Sequence, residues 1–308
     1  MSRPKPSRKE PNRHASRGIN VPSAPTVSAR WLLSAIAIAI AAALICAWAA
    51  LCILFWQGSW QLLYHPTSTV GRTPASVNLA FDSVGFATTA SGEPQLHGWW
   101  IPASSQARFT AIYLHGASGN LTDTVDALAQ LHSAGINIFA FDYRGYGQSR
   151  FVHPSETSFR EDADAAIHYL VATRHIAPSA IILFGSGLGA NLALAVASDH
   201  PDLAGVVLDQ PLDDPTAAIF NDARARLVPA RLLVRDRWDL NAAASNLLIP
   251  SLWFNRSSGG TDDSAVLQMY QKVPARKTLV WLTNSPNESK HFSEAFARWL
   301  DELPVATR

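Results

Sequence analysis

Between Trp31 and Trp56 no residue carries a charge. Twenty-six residues rise about 39 Å as an α-helix, enough to cross a hydrocarbon core of about 30 Å with some tilt. A transmembrane anchor is therefore expected over 31–56. Arg3, Lys5, Arg8, Lys9, Arg13, Arg17 and Arg30 precede it with Glu10 as the one acid, and no Lys or Arg follows until Arg72. That asymmetry predicts a cytoplasmic N-terminus and a periplasmic or extracellular domain beyond the span. Residues 1–30 are rich in Pro and Ser and poor in large apolar side chains, so a disordered basic tail is expected there. A cleaved signal peptide is the alternative, with Ala47-Trp48-Ala49 as a small-x-small site. The apolar run continues through Leu51, Ile53, Leu54 and Phe55, which favours an uncleaved anchor in the lipid bilayer. Trp56, Trp60 and Tyr64 suit the outer interfacial belt.

The chain is 308 residues long with a net charge of +1. That length accommodates one large α/β domain beyond the anchor, and the near-neutral balance argues against nucleic acid as a partner. Both cysteines, Cys46 and Cys52, lie in the apolar segment. The rest of the chain can therefore hold neither a disulfide framework nor a thiol nucleophile.

After a juxtamembrane linker at 57–76, strand and helix signals alternate from residue 77 to the end. Val77 to Ala87 and Gln95 to Ile101 read as an opening antiparallel hairpin turned at Ser91-Gly92. Six short apolar runs follow: Thr110–Leu114, Ile136–Phe141, Ala180–Phe184, Gly205–Leu208, Ser251–Phe254 and Thr278–Leu282. Runs this short, without polar alternation, suit strands buried on both faces of a mostly parallel sheet. Val125, Leu128, Leu131 and His132 share a helical face. Ser158 and Glu161 have capping-box spacing, and Phe292, Phe296, Trp299, Leu300 and Leu303 form a closing amphipathic stripe. The expected class is a doubly wound α/β sheet. Residues 212–247 break the alternation and read as a small helical lid carrying Arg224, Arg226, Arg231, Arg235 and Arg237. These arginines belong either to a solvated face balanced by Asp222, Asp236 and Asp239, or to a surface for an anionic group or lipid headgroup.

Three loops carry a resemblance. Tyr113-Leu114-His115-Gly116-Ala117-Ser118-Gly119-Asn120, Phe141-Asp142-Tyr143-Arg144-Gly145-Tyr146-Gly147-Gln148-Ser149 and Leu183-Phe184-Gly185-Ser186-Gly187-Leu188-Gly189-Ala190 resemble successive loops of the α/β-hydrolases. The likeness extends over about 62–303 and is strongest to membrane-anchored, serine-aminopeptidase-like proteins. It implies the α/β-hydrolase fold and a nucleophile elbow of form G-x-S-x-G. With Gly185 and Gly189 as the outer glycines, the nucleophile position is Gly187, and Ser186 falls one residue early. The resemblance implies backbone N–H groups of Ala117 and Leu188 as an oxyanion hole, with His115 and Gly116 shaping its loop. It implies His291 as the base. The acid is open among Asp262 and Asp263, displaced by a loop insertion, Asp209 at a strand end, and no acid at all.

Three functions follow as expectations, one of them a lipid-headgroup binder using the arginine-rich lid. The first is a catalytically impaired or non-catalytic hydrolase-fold module that binds an acyl ester or a peptide. The second is a serine hydrolase acting through Ser186, Asp262 or Asp263, and His291. No cofactor and no metal centre are expected, and the sequence does not indicate an oligomeric state.

Overall fold

The computed structural model describes residues 27–88, 92–256, 264–283 and 285–304. The chain divides into two units, Met1–Ala49 and Ala50–Arg308. Helix α1, Ala29–Gly58, begins in the first and ends in the second. It is long and apolar enough to cross a membrane, with a mean hydropathy of 2.7 over its most apolar window. It extends two residues beyond the expected 31–56 at each end.

The second unit is built on one eight-stranded sheet. In chain order its strands are β1 (Asp82–Phe86), β2 (Leu96–Ile101), β3 (Thr110–Leu114), β4 (Asn137–Asp142), β5 (Ile181–Ser186), β6 (Gly205–Asp209), β7 (Ser251–Arg256) and β8 (Lys277–Leu282). Across the sheet they lie 1-2-4-3-5-6-7-8. β1 and β2 form the antiparallel hairpin, and β2 is antiparallel to β4 as well. The remaining neighbours are parallel. Of the turn expected at Ser91-Gly92, Ser91 lies outside the described residues.

The helices form two layers because the parallel strands are apolar on both faces. One core joins Ile112, Leu183, Val206 and Trp253 to α3 (Glu156–Ala172) and α4 (Leu188–Asp199). The other joins Tyr113, Phe184, Val207 and Phe254 to α2 (Val125–His132) and α9 (Glu288–Glu302). Between β6 and β7 come α5 (Ala217–Phe220), a 3-10 turn at Ala223–Arg226, α6 (Ala230–Leu233) and α7 (Leu240–Asn246). The stretch expected as a lid over 212–247 is thus a run of short helices. Its last element, α7, packs against α4 and against α8 (Ser264–Lys272) as a crossover helix of the sheet.

Two local expectations are corrected. Helix α3 starts a turn earlier than the Ser158–Glu161 spacing implied. Ser155 is its N-cap, its hydroxyl accepting from Ser158 N at 3.1 Å while Ser155 N donates back to Ser158 Oγ at 3.0 Å. Glu161 instead reaches Arg144, 2.6 Å away. The stretch 57–76, expected as a juxtamembrane linker and with it Tyr64 at the interface, packs in part on the domain. Leu63 and Tyr64 are buried in the core, and His65–Pro66 pairs in parallel with Ser118–Gly119. Tyr64, expected at the membrane interface, is 1% exposed and donates to Asp236 Oδ2 at 2.6 Å.

Candidate functional site

β5 and α4 are separated by a single residue, Gly187, at φ +56° and ψ −123°. An L side chain rarely adopts that torsion, so glycine relieves backbone strain at this point. The flanking glycines have a different cause. A Cβ on Gly185 would strike the Gly189 carbonyl, and one on Gly189 would strike the carbonyls of Leu114 and His115. Strand, turn and helix therefore approach so closely that only hydrogen fits at both positions. At Gly187 an added Cβ meets nothing within 4 Å. The turn projects its apex into open space, and the apex carries no side chain.

The loop after β3 lies beside this turn. The Ala117 carbonyl accepts from His65 N at 2.8 Å and from the Tyr146 hydroxyl at 2.7 Å, while the Tyr143 hydroxyl donates to the His115 carbonyl at 3.0 Å. Further along, Asn120 Nδ2 donates to the carbonyls of Thr67 and Thr69. With the carbonyls so held, the N–H groups of Ala117 and Leu188 donate to no protein acceptor among the described residues. Leu188 opens α4, whose first N–H groups have no intrahelical partner and carry the positive end of the helix dipole.

His115 is fully buried under this loop. Its Nδ1 lies 2.9 Å from the Gly116 carbonyl, which can only accept, so the proton is assigned to Nδ1. Nε2 is left bare, 3.8 Å from Asp142 Oδ1. Burial pushes the ring down to about 4 and pushes Asp142 up to about 6. His115 is thus a neutral packing residue, seated between Tyr143 and Tyr146 with ring centroids 4.3 and 5.1 Å away.

Ser186 does not point to the apex. It is the last residue of β5 and pairs in register with Asp209, the last of β6. In a parallel ladder such partners project to the same face. Phe184, two residues earlier, packs against Phe292 and Phe296, so that face is the α2/α9 side. The Ser186 hydroxyl donates to Asp209 Oδ2 at 3.2 Å. Arg256, ending β7, reaches Asp209 Oδ1 at 3.0 Å and Glu288 Oε1 at 2.6 Å. Burial raises the Asp209 carboxyl above its usual range, and Arg256 counteracts that rise. Ser186, Asp209, Arg256 and Glu288, with Gln130 and Phe292, line a cavity of about 140 Å³.

The remaining expected site residues are not brought to Ser186. His291 lies in the first turn of α9, not before it, and its ring is exposed. No hydrogen bond joins it to Ser186 among the described residues. Asp262 and Asp263 lie outside the described residues. Asp209 reaches Ser186 directly, without an intervening imidazole. Arg256 and Glu288 were missed from sequence. Their signal was an arginine at the end of one apolar run beside an aspartate ending the preceding one. Among the described residues no three His, Cys, Asp or Glu side chains gather to hold a metal ion.

Comparisons with known proteins agree with this architecture. The family model described as serine aminopeptidase, S33, matches residues 105–282, more than half of the chain. An uncharacterized protein, YfhR, of Salmonella typhimurium (strain LT2) is 35% identical over 238 residues, covering 70% of this chain and 77% of that protein. An alpha/beta hydrolase domain-containing protein 17C of Xenopus tropicalis is 27% identical over 210 residues, covering 66% of this chain and 63% of that protein. The solved esterase Pf2001 of Pyrococcus furiosus superimposes with a TM-score of 0.60 at 20% identity, covering 77% of this chain and 98% of that one, a likeness of fold.

Proposed function

Because the chain belongs to the serine aminopeptidase S33 family of α/β-hydrolases, we propose that it is a membrane-anchored member that binds a carbonyl ligand without cleaving it. One observation carries this. The elbow apex is Gly187, and the neighbouring hydroxyl of Ser186 is held by Asp209 on the α2/α9 side. Acyl transfer needs a nucleophile at the apex, a base within hydrogen-bond reach and donors for the oxyanion. The donors proposed for it are the N–H groups of Ala117 and Leu188, which have no protein acceptor among the described residues. They can polarise an ester or peptide carbonyl, and nothing at the apex attacks it. Loss of the serine of a working triad lowers turnover by roughly a million-fold, so this single position outweighs the rest of the site.

The anchor is α1, uncleaved, with the basic tail in the cytoplasm and the hydrolase unit on the other side. Support comes from the uncharged run 31–56 and the basic residues preceding it.

The test uses the full chain in detergent micelles with a serine-directed fluorophosphonate probe, followed by short acyl esters. The expected result is no labelling and no turnover. Labelling at Ser186 that disappears in Ser186→Ala would overturn the proposal and establish a rearranged hydrolase. A reporter enzyme fused after Arg308 should be active only outside the cytoplasm.

A further inference from the structure

The lid arginines are not balanced by the acids that the sequence sets beside them. Of Arg224, Arg226, Arg231, Arg235 and Arg237, only Arg224 makes an ion pair among the described residues, with Asp222 at 2.8 Å. The other acids are committed elsewhere. Asp236 accepts from the Tyr64 hydroxyl at 2.6 Å and from Glu156 N at 3.1 Å. Asp239 caps α7 by accepting from Ala242 N. Glu156 Oε2 accepts from the backbone N–H groups of Arg237 and Trp238, both at 2.8 Å. Asp236 and Glu156 thus hold the lid to the domain, while all five arginines are exposed, Arg231 lying over the Phe220 ring at 5.8 Å and Arg237 donating to the Arg231 carbonyl at 3.3 Å.

Large apolar side chains stand among those charges. Leu232 is 82% exposed and Leu227 62% exposed. Val228, Ala230 and Val234 supply the buried side of the same segment. An exposed leucine flanked by arginines is the composition of an element lying in the headgroup region of a bilayer.

The position of the lid names the bilayer. Leu51, Leu54, Phe55 and Gly58, the last turns of α1, line a groove of about 170 Å³ together with Arg224. In the same turn of α1, the Arg235 guanidinium lies 5.7 Å from the Trp56 ring centroid, where both border a second, mainly apolar pocket of about 310 Å³. The lid is therefore continuous with the end of the apolar helix. If that helix spans a membrane, the lid meets the surface where the helix emerges.

We propose that residues 222–237 form a membrane-surface element. Leu227 and Leu232 enter the acyl boundary of the leaflet from which α1 emerges, and Arg226, Arg231 and Arg235 engage the phosphates of anionic lipid headgroups. This rests on α1 being a retained span and is independent of the chemistry at the elbow. A ligand drawn from that leaflet would meet the apolar pocket between Trp56 and Leu233 before reaching solvent.

Hydrogen exchange of the full chain in lipid nanodiscs tests it. Discs of phosphatidylcholine alone are compared with discs containing phosphatidylglycerol, reading peptides from 222–237. Each arginine near an anionic surface contributes roughly fivefold in surface occupancy, so three neutralisations amount to about a hundredfold. Lid amides should exchange more slowly in the anionic discs. The slowing should vanish in Arg226→Gln/Arg231→Gln/Arg235→Gln, and also for the unaltered chain in high salt, where screening shortens to a few ångströms. Equal exchange in both discs overturns the proposal, as does slowing that survives both neutralisation and salt. Slowing reproduced by inorganic phosphate in phosphatidylcholine discs overturns the lipid as its source. Failure of α1 to enter the discs, seen as unprotected amides at 31–56, refutes the span instead.

Discussion

Serine substituted at Gly187 separates what the backbone of this turn permits from what a side chain at its apex would do. At φ +56° an L residue is strained by roughly 1–3 kcal/mol. The open space around a Cβ there adds no steric cost. Replacing glycine also narrows the unfolded ensemble, which returns about 0.4–1 kcal/mol. The net cost of Gly187→Ser is therefore about 1–2 kcal/mol. In a unit of this size that lowers Tm by a few degrees, at about 2–4 °C per kcal/mol. Gly185→Ala and Gly189→Ala differ in kind, because each new methyl meets a backbone carbonyl that cannot rotate away. Their cost is expected at about 3 kcal/mol or more, the upper end for overpacking. Thermal unfolding of the full chain, followed by tryptophan fluorescence, ranks the three variants. A fluorophosphonate probe then reads the chemistry. The new serine should stand beside the N–H groups of Ala117 and Leu188, which donate to no protein acceptor among the described residues, yet stay unlabelled, because His291 faces solvent from the first turn of α9. If Gly187→Ser unfolds as readily as Gly185→Ala, the apex is not at 187 and the reasoning fails. Fast labelling of the new serine would mean that His291 can reach the site.

Other parts of the molecule give independent checks. Arg256→Gln leaves Asp209 and Glu288 without their shared cation and should destabilise by about 2–3 kcal/mol, somewhat below a fully buried pair because all three side chains are partly exposed. Adding Asp209→Asn to that variant should recover much of the loss, and additive losses in unfolding experiments would refute the coupling. Tyr64→Phe removes a 2.6 Å donor to a partly buried carboxylate and should cost about 1.5–3 kcal/mol, with faster hydrogen exchange over 230–238; unchanged exchange would mean that this contact does not hold the lid. His115 and Asp142 should pull stability in opposite directions with pH. The His115 contribution, with its ring pushed down to about 4, is present above pH 6.5 and lost as pH falls through about 4. That of Asp142, pushed up to about 6, is present below pH 3.8 and lost as pH rises through about 6. Each amounts to roughly 3 kcal/mol, and Asp162, also pushed up to about 6 by burial, is common to every variant; measured relative to the unaltered chain, Tm should therefore gain with rising pH in Asp142→Asn and lose with rising pH in His115→Asn between pH 4 and 6.5.

How far the sequence could be read depended on whether a feature was local. The central strands β3 to β7 were legible within two residues at each end because strands buried on both faces must be apolar throughout, and β3 matches its run residue for residue. The elbow was legible for a similar reason, since close backbone approach forces glycine at Gly185 and Gly189 whatever the side chains do. Tyr64 was not legible. It follows an apolar helix, where an aromatic suits a membrane interface, and its partner Asp236 is 172 residues away. Arg256 was missed for the same cause: its role exists only once β6 and β7 lie side by side.

His291 is the instructive case, because the information was present and the inference turned on where one helix starts. If α9 began after His291, the ring would sit on a loop free to lean over the elbow. It begins at Glu288, with Asn287 as its cap. Once inside the helix, His291 is fixed by geometry about 100° around the axis from Phe292. Phe292, Phe296, Trp299 and Leu300 were already identified as the buried stripe, and all four are buried. A residue that far off the stripe faces solvent, as His291 does. Extending the same periodicity back by one turn places Glu288 on the inward side, where it meets Arg256. The helix start thus sends a carboxylate, and not an imidazole, toward the ends of β6 and β7, and the Asp209–Arg256–Glu288 ion pairs occupy the side of the sheet to which Ser186 turns.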